Sequence, residues 1–393
     1  MRNIALLIGF LFYGFAGRTE TVYQVNNPET FNKAVEKAVP GDQIVIANGR
    51  YSGWEMTVNT NGSAGHPIII RAETPGKVTF SGTVSRSMFK LTGSYTEIAG
   101  LTFADCELLR ATNAAGVLIE LKDSKYCRIR DCVFSRNKVS TQYMPIVVVI
   151  GKGEHDRVDH CLFSENVDNQ EIQIKVTESV VPLYTLIDHN VFQDKKMVSW
   201  KGGNGGECVQ VGQDPVLLGT KEAKTIVRAN RFIRCNGEAE VISNKSSGNQ
   251  YIGNYFEDCQ GELVMRGGHD CLIDSNVFKG GSGGIRVNGS RHVLSNNSIS
   301  GVRTGIRLMY GMASGKDAIG FYIAASDCLI KNNRIDSVET GILIGDGKDA
   351  DWRGKFDTKK YPSPTQQDIS PFNIVLLDNN ITAAKVPVLH RER

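Results

Sequence analysis

Asn230-Arg231-Phe232, Asn254-Tyr255-Phe256, Asn276-Val277-Phe278, Asn297-Ser298-Ile299 and Asn333-Arg334-Ile335 are one signature written five times. His189-Asn190-Val191-Phe192 precedes them. Earlier still, Cys132-Val133-Phe134 and Cys161-Leu162-Phe163 carry Cys in the Asn position. From Phe232 the marks recur after 24, 22, 21 and 36 residues, so extra loops enter between some units. Such self-similarity marks a solenoid: one unit cannot bury its apolar face, and stacked units can.

Inside each unit the strands alternate, as in Gly284-Ile285-Arg286-Val287-Asn288 and Gly305-Ile306-Arg307-Leu308-Met309. Period-2 alternation gives one buried and one wet face. Stacking pairs each strand in parallel with its equivalent in the next coil, and such crossovers are right-handed. The chain is therefore expected to be all-β, a single-domain right-handed parallel β-helix of about a dozen coils. The recurrent Asn is expected to ladder along one turn. An up-and-down sandwich would need polar hairpin turns instead of this coil period.

An open stack exposes strand edges, so its first coil needs a cap. Asn27-Pro28-Glu29 opens a short capping helix with Phe31, Ala34, Val35 and Ala38 on one face. Asn27 is placed as its N-cap and Pro28 at its first position. Two insertions, 309–321 and 345–370, are expected to overhang one face and line a cleft.

Net charge is +3, too weak for a nucleic-acid partner, though a local basic cleft for an anionic substrate remains open. With 41 Gly and 11 Pro the chain suits many tight turns rather than disorder. Residues 1–17 read as a secretory signal peptide: Met1-Arg2-Asn3, an apolar run from Ile4 to Phe15, then Ala16-Gly17. That run is too short to span a bilayer. Residues 18–393 would then be an exported bacterial domain, periplasmic or extracellular, without a membrane span and expected to be monomeric. The nine cysteines include no CxxC, and their odd number leaves at least one thiol unpaired within the chain. Stacked core thiols are expected, with disulfides open in an export compartment.

Counting from the register marks places Glu238 over Glu262, Glu240 over Val264, Arg266 over Asn288 and Arg286 over Arg307. Arg266, Arg286 and Arg307 point outward, and Glu238 and Glu240 flank an inward Ala239. Parallel neighbours lie ~4.8 Å apart, so these charges form one strip on an outer face. A single outward arginine would be an ordinary solvated charge. Two crowded carboxylates repel unless a cation neutralises them, and hard oxygens suit Ca²⁺. The turn Gly202-Gly203-Asn204-Gly205-Gly206-Glu207 offers Asn204 as a third oxygen ligand, while Glu207 either adds a fourth or only solvates the loop. Lys245, placed on an exposed strand end, can act as a base beside a cation. Arg266 can hold a developing negative charge. The set suits removal of a proton next to a carboxylate in an acidic polymer.

Asn204 through Gly212, Glu238 through Ser246 and Met265-Arg266-Gly267 resemble the core of polysaccharide lyase family 6, which contains alginate lyases and the dermatan-cleaving chondroitinase B. Gly41 through Tyr51, His66 through Glu73 and Gly289 through Val293 are similar to its other coils, so the likeness spans nearly all of residues 18–393. The resemblance implies Asn204, Glu238 and Glu240 as Ca²⁺ ligands, Lys245 as general base and Arg266 as proton donor or charge stabiliser. It implies β-elimination of a 1,4-linked uronate polymer to 4,5-unsaturated products. Relatives often carry His directly after the catalytic arginine, and this chain has Gly267, with His269 two residues on. Alginate is the expected substrate from the Asn244–Asn249 surround and the short chain, and dermatan sulfate is the alternative. Arg286 and Arg307, from register alone, are expected to hold substrate carboxylates. A β-helix glycoside hydrolase using Glu238 and Glu240 would leave Lys245 and Arg266 without a chemical role. A carbohydrate-binding or adhesive β-helix is the non-enzymatic alternative.

Overall fold

The computed structural model describes residues 19–213, 219–359 and 362–391. Residues 1–17, read as a signal peptide, lie outside them. Three long sheets of 13, 12 and 13 strands run the length of the stack, and each coil gives one strand to each sheet. Successive strands pair in parallel from Val22–Val25 to Val386–His390. This is the right-handed parallel β-helix expected from the repeat. The two small exceptions are antiparallel hairpins, Arg110–Ala111 with Ala114–Ala115 and Ala350–Asp351 with Gln366–Gln367.

The register marks form the core. Phe80, Phe103, Phe134, Phe163, Phe192, Phe232, Phe256 and Phe278 stack face to face, with centroids 5.5 Å apart at the first pair and 4.4 Å at the last. Each ring sits directly over the next in the strand register. Offset stacking and burial both favour such a column. All nine cysteines are buried free thiols, so the disulfide alternative drops away.

The Asn ladder is also present. Asn190, Asn230, Asn254, Asn276, Asn297 and Asn333 each donate Nδ2 to the Oδ1 of the next Asn and to a carbonyl of the preceding coil. Asn190 Oδ1 also accepts from the Cys161 amide at 3.0 Å, which ends the ladder where Cys replaces Asn. Asn254→Ala would orphan Val227 O, the Asn230 amide, the Asn230 side chain and a lone pair of Asn276. Each buried orphan costs about 1–3 kcal/mol, so we expect at least about 3 kcal/mol of destabilisation, read as a lower urea midpoint at unchanged m-value.

The capping helix spans Pro28–Lys37 with Asn27 as N-cap, its side chain accepting from the Thr30 amide. Phe31 seats it against Trp54 and Phe89 at 5.5 and 5.9 Å, closing the first coil.

Candidate active site

The site lies on the outer face of the 12-stranded sheet, on the strands Val209–Val211, Glu240–Asn244, Glu262–Met265 and Gly283–Val287. The turn at 204–206 is pressed against residue 237. A Cβ on Gly237 would meet Gly206 O at 2.2 Å, so neither glycine tolerates a side chain. That contact aims the Gly205 amide at Glu238 Oε2, 2.7 Å away. Glu207, Glu238 and Glu240 then converge: one carboxylate oxygen from each lies within 4.8 Å of the others, and all three residues are buried.

The expected register fails at one point. Glu240, not Glu238, pairs with Glu262, and the ladder slips before Ile242. A bulge there adds a residue to the strand, bends it and leaves Ser243 over Val264. Beyond the bulge the expectation holds, with Arg286 over Arg307 and Met265 paired with Val287, the register that sets Arg266 against Asn288. Ile285 and Val287 point inward and are fully buried.

Lys245 is not on an exposed strand end. It is 6% exposed, and its Nζ lies 4.0 Å from Glu207 Oε1. Gly212, at φ +86°, passes so close that a Cβ would stand 2.8 Å from Lys245 O. Burial, reinforced by Arg266 and opposed by the three glutamates, pushes the lysine below its ordinary range. Burial and then the charges of Glu207 and Glu240 push Glu238 up to about 10. Burial acts the same way on Glu240, but Arg286, Arg266 and Lys245 outweigh it and bring that carboxyl down to about 2. Glu240 ion-pairs with Arg286, yet its buried Oε2 has no hydrogen-bond partner among the described residues.

Arg266 does point out of the sheet, as expected, but is roofed. Its guanidinium lies 4.9 Å from the Phe321 ring centre and 5.0 Å from that of Tyr322, cation–π contacts to two rings set edge-to-face. Trp352 and Phe356 pack on the same rings, so both insertions meet over the site. Arg266 Nε has no hydrogen-bond partner among the described residues. Arg307 lies one coil beyond Arg286, with Nε 2.9 Å from Glu262 and Nη1 2.8 Å from Asp346. Asn204 sits exposed on the turn, its carbonyl accepting from Gln142 Nε2 at 3.0 Å. Gly267 is followed by a fully buried His269, whose Nδ1 contacts Ser290 Oγ.

Sequence reasoning undervalued Glu207. Its two oxygens accept from Gln170 and Gln210, and Gln173 links those two amides. The alternation Cys208-Val209-Gln210-Val211 could have placed Gln210 outward beside the site. The partners in Gln170 and Gln173 are a coil away and gave no signal.

The chondroitinase B family model matches residues 25–390. No curated protein matches the chain. Among solved structures, a mutant form of the PL6 family alginate lyase AlyGC superposes with a TM-score of 0.74 at 27% identity. That match covers 91% of this chain and 47% of AlyGC, so the chain spans about half its length. A mannuronic acid specific family 6 lyase from human gut microbiota has TM-score 0.74 at 24% identity, covering 92% of this chain and 82% of its own. A PL6 family polysaccharide lyase from Pseudopedobacter saltans has TM-score 0.72 at 22% identity, covering 93% and 92%. The last two likenesses concern the fold.

Proposed function

We propose, since the chain belongs to the chondroitinase B family, polysaccharide lyase family 6, that it cleaves alginate by Ca²⁺-assisted β-elimination. The observation that carries this reading is Lys245, buried beside three convergent carboxylates and an aromatic-roofed arginine. A hydrolase needs two carboxyl groups that can reach a sugar and a water. Here the glutamates crowd together under burial, and a lysine and an arginine hold the positions next to them.

The donor set fits a hard divalent cation. Burial and the neighbouring carboxylates push Glu238 up, which a cation would offset, and among the described residues Glu240 has a buried oxygen with no partner. Glu238 and Glu240 would hold the ion, with Asn204 or Glu207 adding oxygens. When bound, Ca²⁺ supplies positive charge against the substrate carboxylate and so acidifies the proton at C5.

Lys245 takes that proton. The burial that lowers its pKa leaves more of it neutral near neutrality, as a base requires. The C5–H electrons form the C4=C5 double bond as the C4–O bond breaks. Arg266 faces the charge on the leaving oxygen and can return a proton to it. Phe321 and Tyr322 keep water from its guanidinium, which strengthens that interaction.

Arg286 and Arg307 are proposed to hold carboxylates of neighbouring sugars. Arg307 already serves Glu262 and Asp346, so a substrate carboxylate would compete for it. We expect Arg307→Ala to raise KM by roughly tenfold with kcat near wild type, the pattern of a contact present in ground and transition states alike. Arg286→Ala should also raise the Ca²⁺ requirement, because it strips Glu240 of its counter-charge. An unchanged KM in both would place the substrate on another face.

AlyGC, 27% identical, is an alginate lyase, which favours alginate. The matching family model carries the name of a dermatan-cleaving enzyme, which keeps dermatan sulfate as the second reading. Ultraviolet absorbance of the conjugated product on each polymer decides between them, and its absence on both would overturn the lyase reading. Export is proposed from the leader-like pattern of residues 1–17. Among the described residues no helix is long and apolar enough to cross a membrane.

A further inference from the structure

The face that carries the glutamates continues for several coils toward the N-terminus, past everything the reaction uses. In register its outward row reads Lys90, Glu120, Val148, Gln173, Gln210, Ser243. The adjoining row places Lys175 beside Ile150 and, two strands on, Lys245, since Ile174 pairs with Val211 and Val211 with Asn244. Five strand spacings, ~24 Å, separate Lys90 from Ser243, and two, ~10 Å, separate Lys175 from Lys245.

The hairpin Arg110–Ala111/Ala114–Ala115 stands over this end of the face. Under it lies a cavity of about 420 Å³ whose wall includes Arg86, Lys90, Arg110 and Lys175. Its one carboxylate, Glu120, accepts from Ser87 Oγ. Among the described residues none of these four cations has a carboxylate within ion-pair distance. Arg286 and Arg307, on the same face, are each locked to glutamates. Cations left unneutralised in a concave wall focus positive potential, which draws in polyanions.

We propose that this cavity is a remote anion subsite that grips carboxylates of the polymer two to five sugars from the bond that breaks. The inference rests on the lyase reading and extends it to substrate length. A 1,4-linked pyranose advances its chain by close to one strand spacing per residue. A uronate chain laid along the stack from Lys245 therefore brings one carboxylate near Lys175 and later ones near Lys90, Arg86 and Arg110. The hairpin walls the groove at this end much as the Phe321 and Trp352 insertions wall it at the other. Short oligomers reach no further than Lys175, whereas long ones extend to Lys90, Arg86 and Arg110.

The experiment compares binding of labelled oligouronates of four and ten residues to Lys245→Ala protein, with and without the further changes Lys90→Gln and Arg110→Gln. We expect the decamer to bind more tightly than the tetramer at low salt. We expect the two glutamines to weaken decamer binding about tenfold while moving the tetramer less than about twofold. The decamer advantage should shrink as ionic strength rises. Equal losses on both lengths, or none on the decamer, would overturn the subsite. Wild-type product absorbance tests the lyase reading separately: its absence fails that reading, and the length dependence of binding still decides the subsite.

Discussion

Lys245→Ala is expected to lower kcat by roughly a thousandfold, the middle of the range one positioned base contributes. The structure raises the stakes of that test. Lys245 is buried among carboxylates, so its truncation removes a counter-charge as well as a base. Some loss of stability should follow, and thermal unfolding must accompany the kinetics. Lys245→Met, which keeps most of the side-chain volume, separates the two effects: it should fold nearly as well and remain as inactive. The pH profile adds an independent sign. Burial and Arg266 depress this lysine, so the rate should rise with pH along a limb below the ordinary lysine range of about 10.4. A folded variant keeping more than about a tenth of wild-type kcat would remove Lys245 from the role of base.

The fold was legible because its core is a repetition. Phe232, Phe256 and Phe278 stand at equivalent places in the sequence and stack as rings in the structure. Asn230 through Asn333 recur two positions before these marks and form the ladder. The capping helix was legible for local reasons, since Asn27, Pro28 and the Phe31 face all lie within three turns. The site was legible only in part. Counting from Phe to Phe fixes a coil's length but not where inside it an extra residue sits. The bulge between Glu240 and Ile242 therefore shifted Glu240 onto Glu262 unseen. The burial of Lys245 and Arg266 comes from distant segments, the Gly212 turn and the rings at 321 and 322, and no local pattern around either residue encodes it.

Chelation is expected to silence the protein, with Ca²⁺ restoring activity better than Mg²⁺. The argument starts from three buried glutamates whose oxygens converge within 4.8 Å. Lys245 lies against Glu207 and Arg286 against Glu240, yet among the described residues Glu240 Oε2 has no hydrogen-bond partner. A flexible set of carboxylate and carbonyl oxygens suits the larger ion, whereas Mg²⁺ demands a near-ideal octahedron and sheds water reluctantly. The same ion should stabilise the fold by mass action, since the unfolded chain cannot assemble the cluster. EGTA should therefore lower the unfolding temperature together with activity, and Ca²⁺ should restore both over one concentration range. Glu240→Gln removes one ligand charge and the Arg286 partner together, so it should raise the Ca²⁺ needed for half activity by roughly tenfold or more. Glu171→Gln makes the contrast. Glu171 is equally buried, but it ion-pairs with Lys195 at 2.8 Å outside the cluster, so the change should cost stability without moving the Ca²⁺ requirement. Full activity in excess EGTA, from protein shown to contain no metal, would leave the convergence of Glu207, Glu238 and Glu240 without its explanation and sink the assignment.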